Sequence, residues 1–182
     1  MDLTNHLLLA MPDVDDPFFE KSVVYICEHN ADGAVGLVIN KPSPLKMGVV
    51  FGAVDVNLPE RFEDDPVMIG GPVQLDRGYV LHRPVGNWQS SLVVNDNTAL
   101  TTSRDIIESL ANGETVDKAM ISIGYASWTA GQLERELGEN TWLTVPADEY
   151  IVFDLPYAKK YGAALVKLGV GSESLMREAG HA

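Results

Sequence analysis

The sequence predicts an α+β fold: a single domain built around a large mixed β-sheet with helices packed on it. Three observations carry that expectation. Strand-like runs crowd the first half of the chain and are joined by hairpin-like connections. Helical periodicity comes mainly later, without the regular strand-helix-strand alternation of a doubly wound fold. No linker-like stretch divides the 182 residues, a length suited to one hydrophobic core.

Taken in order, residues 3–10 read as a first strand, closed by Met11-Pro12. Asp16-Pro17 then has the form of a helix cap followed by proline at the first helical position. Residues 23–29 and 34–39 are β-rich runs joined by Asn30-Ala31-Asp32-Gly33, a turn suited to a hairpin. Between residues 41 and 66 four prolines interrupt any pattern, so this stretch is expected to be loop-rich, with residues 47–54 as a short helix or strand. Short strands follow at 67–69, 78–82 and 91–94.

Thr102 and Asp105 have capping-box spacing, and Ile106, Ile107, Leu110 and Ala111 then share a helical face that ends at Gly113. Residues 118–125 return as an apolar strand leading through Trp128 to Thr129-Ala130-Gly131-Gln132, a second capping-box form opening a helix to about residue 137. Residues 142–145 suggest another strand. Ala158, Tyr161, Leu165 and Leu168 share one face of a helix ended by Gly169, and Ser172 is placed to cap a last short helix.

Charge bounds the partners. Thirteen Lys and Arg against twenty-six Asp and Glu give 13 − 26 = −13, and the basic residues are scattered, with Lys159-Lys160 the one adjacent pair. Such a field repels phosphate backbones, so direct nucleic-acid binding is not expected. No apolar window reaches the roughly 18 residues of a membrane helix, and the N-terminus lacks a signal-peptide pattern. A cytoplasmic protein is therefore expected, and the lone cysteine, Cys27, is consistent with a reducing compartment.

Cys27 and His29 are the candidates for catalysis. Two residues apart on a strand, they should face the same side with Cα atoms roughly 7 Å apart, and a slight bulge would let the imidazole stabilise a thiolate. Against this, Cys27 suits an apolar filler and His29 a strand end. His6, His29 and His82 lack metal-ligand spacing, so no metal site is assigned, and no cofactor motif is present. Gly70-Gly71 can form an anion-holding nest or simply a close backbone crossing. The segment from Gly124 to Glu134 either delivers Tyr125, Trp128 and a helix N-terminus to one place as a pocket, or uses Thr129 and Gln132 to satisfy the first helix amides while Trp128 packs in the core, with Glu134 and Glu136 on different helix faces as solvated charges. Asn40, Gly70, Gly71, His82, Trp128, Gln132 and Glu134 are the candidate binding residues.

Several of these motifs together resemble the YqgE/AlgH family of bacterial proteins. They are Asp16-Pro17, Ser22-Val23-Val24-Tyr25-Ile26-Cys27-Glu28-His29-Asn30, Gly36-Leu37-Val38-Ile39-Asn40-Lys41-Pro42, Gly70-Gly71-Pro72-Val73, Gly78-Tyr79-Val80-Leu81-His82, Gly124-Tyr125-Ala126 through Trp128, Gly131-Gln132-Leu133-Glu134 and the terminal Gly180-His181-Ala182. Ser127 stands where the family pattern usually has glycine, and Tyr161 where tryptophan is common. The resemblance implies a cytoplasmic bacterial protein of α+β fold. Its members often carry the label of transcriptional regulator, without a recognised DNA-binding module or agreed catalytic residues. The expectation is a regulatory module that binds a small-molecule ligand or a protein partner. The alternative is a thiol-dependent redox or acyl-transfer activity at Cys27 with His29.

Overall fold

The computed structural model describes residues 1–113 and 116–169. Nine strands, β1 His6–Ala10, β2 Val23–Asn30, β3 Gly33–Val38, β4 Met68–Ile69, β5 Val73–Arg83, β6 Ser91–Val93, β7 Ala99–Thr101, β8 Lys118–Thr129 and β9 Trp142–Pro146, form one sheet. Its order is β6-β7-β5-β8-β3-β2-β1-β9, with β4 alongside β8. All pairings are antiparallel except that of β4 with β8, which makes the sheet mixed. Four α-helices, α1 Met47–Gly52, α2 Arg104–Asn112, α3 Gln132–Gly138 and α4 Tyr157–Leu168, pack on it, with a π-helical turn at Tyr150–Asp154. The expected cap at Ser172 lies outside the described residues.

Why β1 reads as an unbroken apolar run becomes plain from the packing. Leu7 and Leu9 enter one core while Leu8 and Ala10 enter another, so both faces of the strand are covered. The first core joins Leu7, Tyr25 and Leu37 to Tyr79, Leu81 and Leu100 from the far half of the sheet. The sheet must therefore curl around it, and the π-helical turn and α4 close it with Ile151, Val152, Ala164 and Leu165. The second core lies outside the first half, beneath α3, and holds Val24, Ile26, Trp128, Leu133 and Trp142. A third lies outside the second half, where Val80 and Ile121 meet Met47 and Phe51 of α1 and Ile106, Ile107 and Leu110 of α2.

The hairpin forms as expected, with β2 ending at Asn30 and β3 beginning at Gly33. The Asp16 carboxylate caps its turn by accepting from the Phe18 and Phe19 amides at 2.8 and 3.2 Å. Strand β5 runs longer than expected because residues 74–77 leave the ladder: Val73 pairs with Tyr125 and Gly78 with Ile123, so four residues lie opposite Gly124 alone. Strand β8 also continues past Tyr125 to Thr129, and Ser127 is an exposed strand residue opposite Val35. Helix α2 starts after Ser103 rather than Thr102, whose hydroxyl instead donates to Ser90 Oγ at 3.0 Å.

Gly70 and Gly71 cross β8 at contact distance. The Gly70 amide donates to the Ile123 carbonyl at 2.8 Å, and its carbonyl accepts from Val38 at 2.7 Å. A Cβ on Gly71 would stand 2.2 Å from the Tyr125 carbonyl carbon, and one on Gly124, held at φ 71°, would stand 2.4 Å from the Gly71 carbonyl oxygen. These are backbone atoms with no room to yield. Gly71→Ala is expected to cost more than about 4 kcal/mol or to prevent folding, measured by urea unfolding and soluble yield beside Gly78→Ala, where a Cβ meets open space.

Candidate functional site

Cys27 and His29 do not share a face. The β2-β3 register passes from Ile26 opposite Gly36 to Glu28 opposite Val35, so Cys27 is the extra residue of a bulge. Before the bulge Cys27 follows Tyr25 into the inner core; after it, His29 pairs with Ala34 of the outer core beneath α3. The thiol is buried, and desolvation pushes its pKa up to about 12. A bulge, invoked to bring sulfur and imidazole together, here sends them apart. The expected thiolate pair is therefore not formed.

The His29 ring is fully engaged. Nδ1 accepts from the Leu3 amide at 3.0 Å, which leaves the proton on Nε2 to face Glu134 Oε1 at 2.6 Å. This ties the N-terminal segment to β2 and α3. On α3, the Glu136 carboxylate accepts from the indole N–H groups of Trp128 and Trp142 at 3.0 and 2.9 Å through one oxygen. Through the other it accepts from the Gln132 amide at 2.9 Å. Gln132 in turn reaches back to the Thr129 amide at 3.0 Å, the reciprocal half of the expected capping box, while Gly131 occupies the N-cap itself. Glu136 is thus an anchor rather than a solvated charge, and Glu134, though exposed, is tied to His29. Nor do both aromatics converge, since Tyr125 packs edge-on to Tyr79 on the inner face and Trp128 lies on the outer.

Of the expected binding residues, Trp128, Gln132 and Glu134 gather at α3 and the others lie apart. Asn40 accepts from the Val23 amide and donates to the Lys21 carbonyl, both at 2.9 Å, clamping the entry to β2. Gly70 and Gly71 serve the backbone crossing. His82 is fully buried: Nδ1 donates to the Pro84 carbonyl at 3.0 Å, and Nε2 accepts from the Thr101 hydroxyl at 2.7 Å.

A larger opening among the described residues lies elsewhere. A cavity of about 300 Å³ sits between α1, α2, β5 and β8, walled by Val50, Val54, Ile107, Ile121 and Ile123. The excursion of β5 supplies Asp76 and Arg77 to its rim, and Arg104 of α2 stands there too, held by Glu108 and the Val54 carbonyl. Val49, 56% exposed, also lines it. The apolar stripe of α2 is visible in the sequence, but the gap between it and α1 depends on how a proline-interrupted segment returns to the sheet.

A family model described as "AlgH-like" (DUF179) matches residues 7–173. The chain belongs to this family. A UPF0301 protein of Neisseria meningitidis is 60% identical over 182 residues, the whole of both chains. The solution structure of the AlgH protein from Pseudomonas aeruginosa superposes with a TM-score of 0.81 at 45% identity, covering 97% of this chain and 94% of that one. A crystal structure from Corynebacterium diphtheriae shares the fold at a TM-score of 0.72 and 19% identity, covering 90% and 85%. In this AlgH-like chain no helix among the described residues is long and apolar enough to cross a membrane.

Two outcomes follow for the AlgH-like core. Glu136→Ala leaves two indole donors without their acceptor and should cost about 2–4 kcal/mol, with Glu136→Gln milder, read from urea midpoints and tryptophan emission. Burial lowers the pKa of His82 below its ordinary 6.5, against the opposing hydrogen bond to Pro84. The unfolded chain then takes up the proton first, so this stability is complete above 6.5 and is lost as the pH falls. Urea midpoints between about pH 7 and pH 5.5 should decline more steeply in the wild type than in His82→Gln.

Proposed function

We propose that the protein is a regulatory module that binds one small, mostly apolar molecule in the cavity between α1, α2, β5 and β8. The observation that carries this reading is the cavity itself: about 300 Å³, apolar along its walls and charged at its rim. That volume lies at the lower end of ligand pockets, which pair apolar walls with a few orienting polar groups. Arg77 and Asp76 would orient a polar end of the ligand while the valine and isoleucine walls bury its body. Regulation would act through α1, a six-residue helix with no side-chain cap, which a ligand beneath it would order. Its exposed Val49 and the exposed Leu75 of the β5 excursion offer apolar surface that such ordering could cover.

Screening apolar metabolites and nucleotides by thermal shift tests the reading. A ligand at a hundred times its Kd should raise Tm by roughly 5–10 °C. Its NMR shift changes should centre on Val50, Ile107 and Ile123, and Val50→Trp, which fills the cavity from a half-exposed position, should abolish them. A screen without any shift, or changes centred elsewhere, refutes the small-molecule reading.

A further inference from the structure

On the other side of α1, Lys160 occupies an unusual place for a lysine. It is 4% exposed, and its Nζ donates to the Val152 carbonyl at 2.7 Å and lies 3.8 Å from Met120 Sδ. Among the described residues no carboxylate forms an ion pair with it. The side chain lines a second cavity, of about 160 Å³, whose walls include Met47, Phe62, Met68 and Phe153 and whose rim includes the exposed Asp65 and Tyr157. A buried ammonium without a counter-charge is costly, and a lysine in this position relieves the cost by giving up its proton. Desolvation accordingly brings its pKa down to about 8.

We propose that Lys160 is a covalent binding site for a small uncharged aldehyde or ketone, held in this cavity as an imine. The neutral amine has two N–H groups, for which the Val152 carbonyl and Met120 Sδ are the acceptors, and its lone pair is left without a partner beside the cavity that the side chain lines. That pair attacks the carbonyl carbon, a C–N bond forms, and the carbonyl π electrons move to oxygen, which takes a proton from nitrogen. The carbinolamine then loses its hydroxyl with the remaining N–H proton as water, giving C=N; nothing is oxidised or reduced. The apolar walls favour a hydrocarbon chain. Asp65 at the rim disfavours anionic carbonyl compounds such as 2-oxo acids, and Lys160, neutral once it has reacted as an imine, offers them no counter-charge. The site is separate from the cavity between α1 and α2 and stands or falls independently of it.

The test is reductive trapping on the full-length protein with butanal and cyanoborohydride near pH 7.5, read by intact mass and peptide mapping. Lys159, the exposed neighbour, is the internal control. Lys160 should be butylated at least about tenfold faster than Lys159, with a rate midpoint near 8 rather than 10.5. Lys160→Met should remove the fast adduct while retaining the circular dichroism of the wild type. Equal rates at the two lysines, or labelling of Lys160 in denaturant alone, overturns the proposal without need of the variant. Pyruvate trapped faster than butanal overturns the assignment of an uncharged ligand.

Discussion

Everything in this fold hangs on one backbone crossing, where Gly70 and Gly71 pass β8 at Gly124. Three glycines meet there because no side chain fits: each would place a Cβ within 2.5 Å of another main-chain atom. The consequence is topological. With Gly124 at φ 71°, β8 turns at its middle, so that Met68 and Ile69 lie beside Ser122 and Ile123 while β3 takes up the pairing from Ala126 onward. One strand thereby serves three cores, through Ile121 against α1 and α2, Tyr125 inward and Trp128 beneath α3. Without the turn the sheet would be flatter, and the inner core would lack its second wall.

The same crossing positions both cavities. Opposite Gly124, residues 74–77 are expelled from the β5 ladder, and that excursion brings Asp76 and Arg77 to the rim of the larger cavity. Ile121, just before the turn, lines both openings, and α1 stands between them with Val50 on one side and Met47 on the other. A short helix over two gaps is held by fewer contacts than a strand in the sheet, which places α1 among the elements that yield first.

Much of this was legible in the sequence. Local signals suffice where a local rule decides: the hairpin at Asn30 to Gly33, the stripe on α2 ended by Gly113, and the helix ended by Gly169 all stand where turn chemistry and periodicity put them. The choice between an anion nest and a close crossing at Gly70-Gly71 is decided by a partner more than fifty residues away in sequence, which no local pattern names. The bulge at Cys27 was equally illegible, because a register slip leaves no mark on composition yet reverses every side chain after it. Strand β7 and the π-helical turn escaped for a simpler reason, as each is short and carries no period long enough to detect.

Most of the residues that drew functional expectations share one property in the folded chain: their polar side-chain atoms already have partners within the protein. Both ring nitrogens of His29 and of His82, both amide atoms of Asn40 and of Gln132, and both oxygens of Glu136 have partners within the protein. A polar group so satisfied stabilises the fold, and using it for a ligand would mean breaking what holds it. Sequence patterning cannot separate spent groups from available ones, because both are polar residues near turns and strand ends. Only the fold makes the distinction, and among the described residues it brings charged side chains to the rim of the larger cavity and a lysine amine without a carboxylate partner to the wall of the smaller one. We place the proposed ligand at the first and the proposed imine at the second, one by reversible burial and the other by a bond.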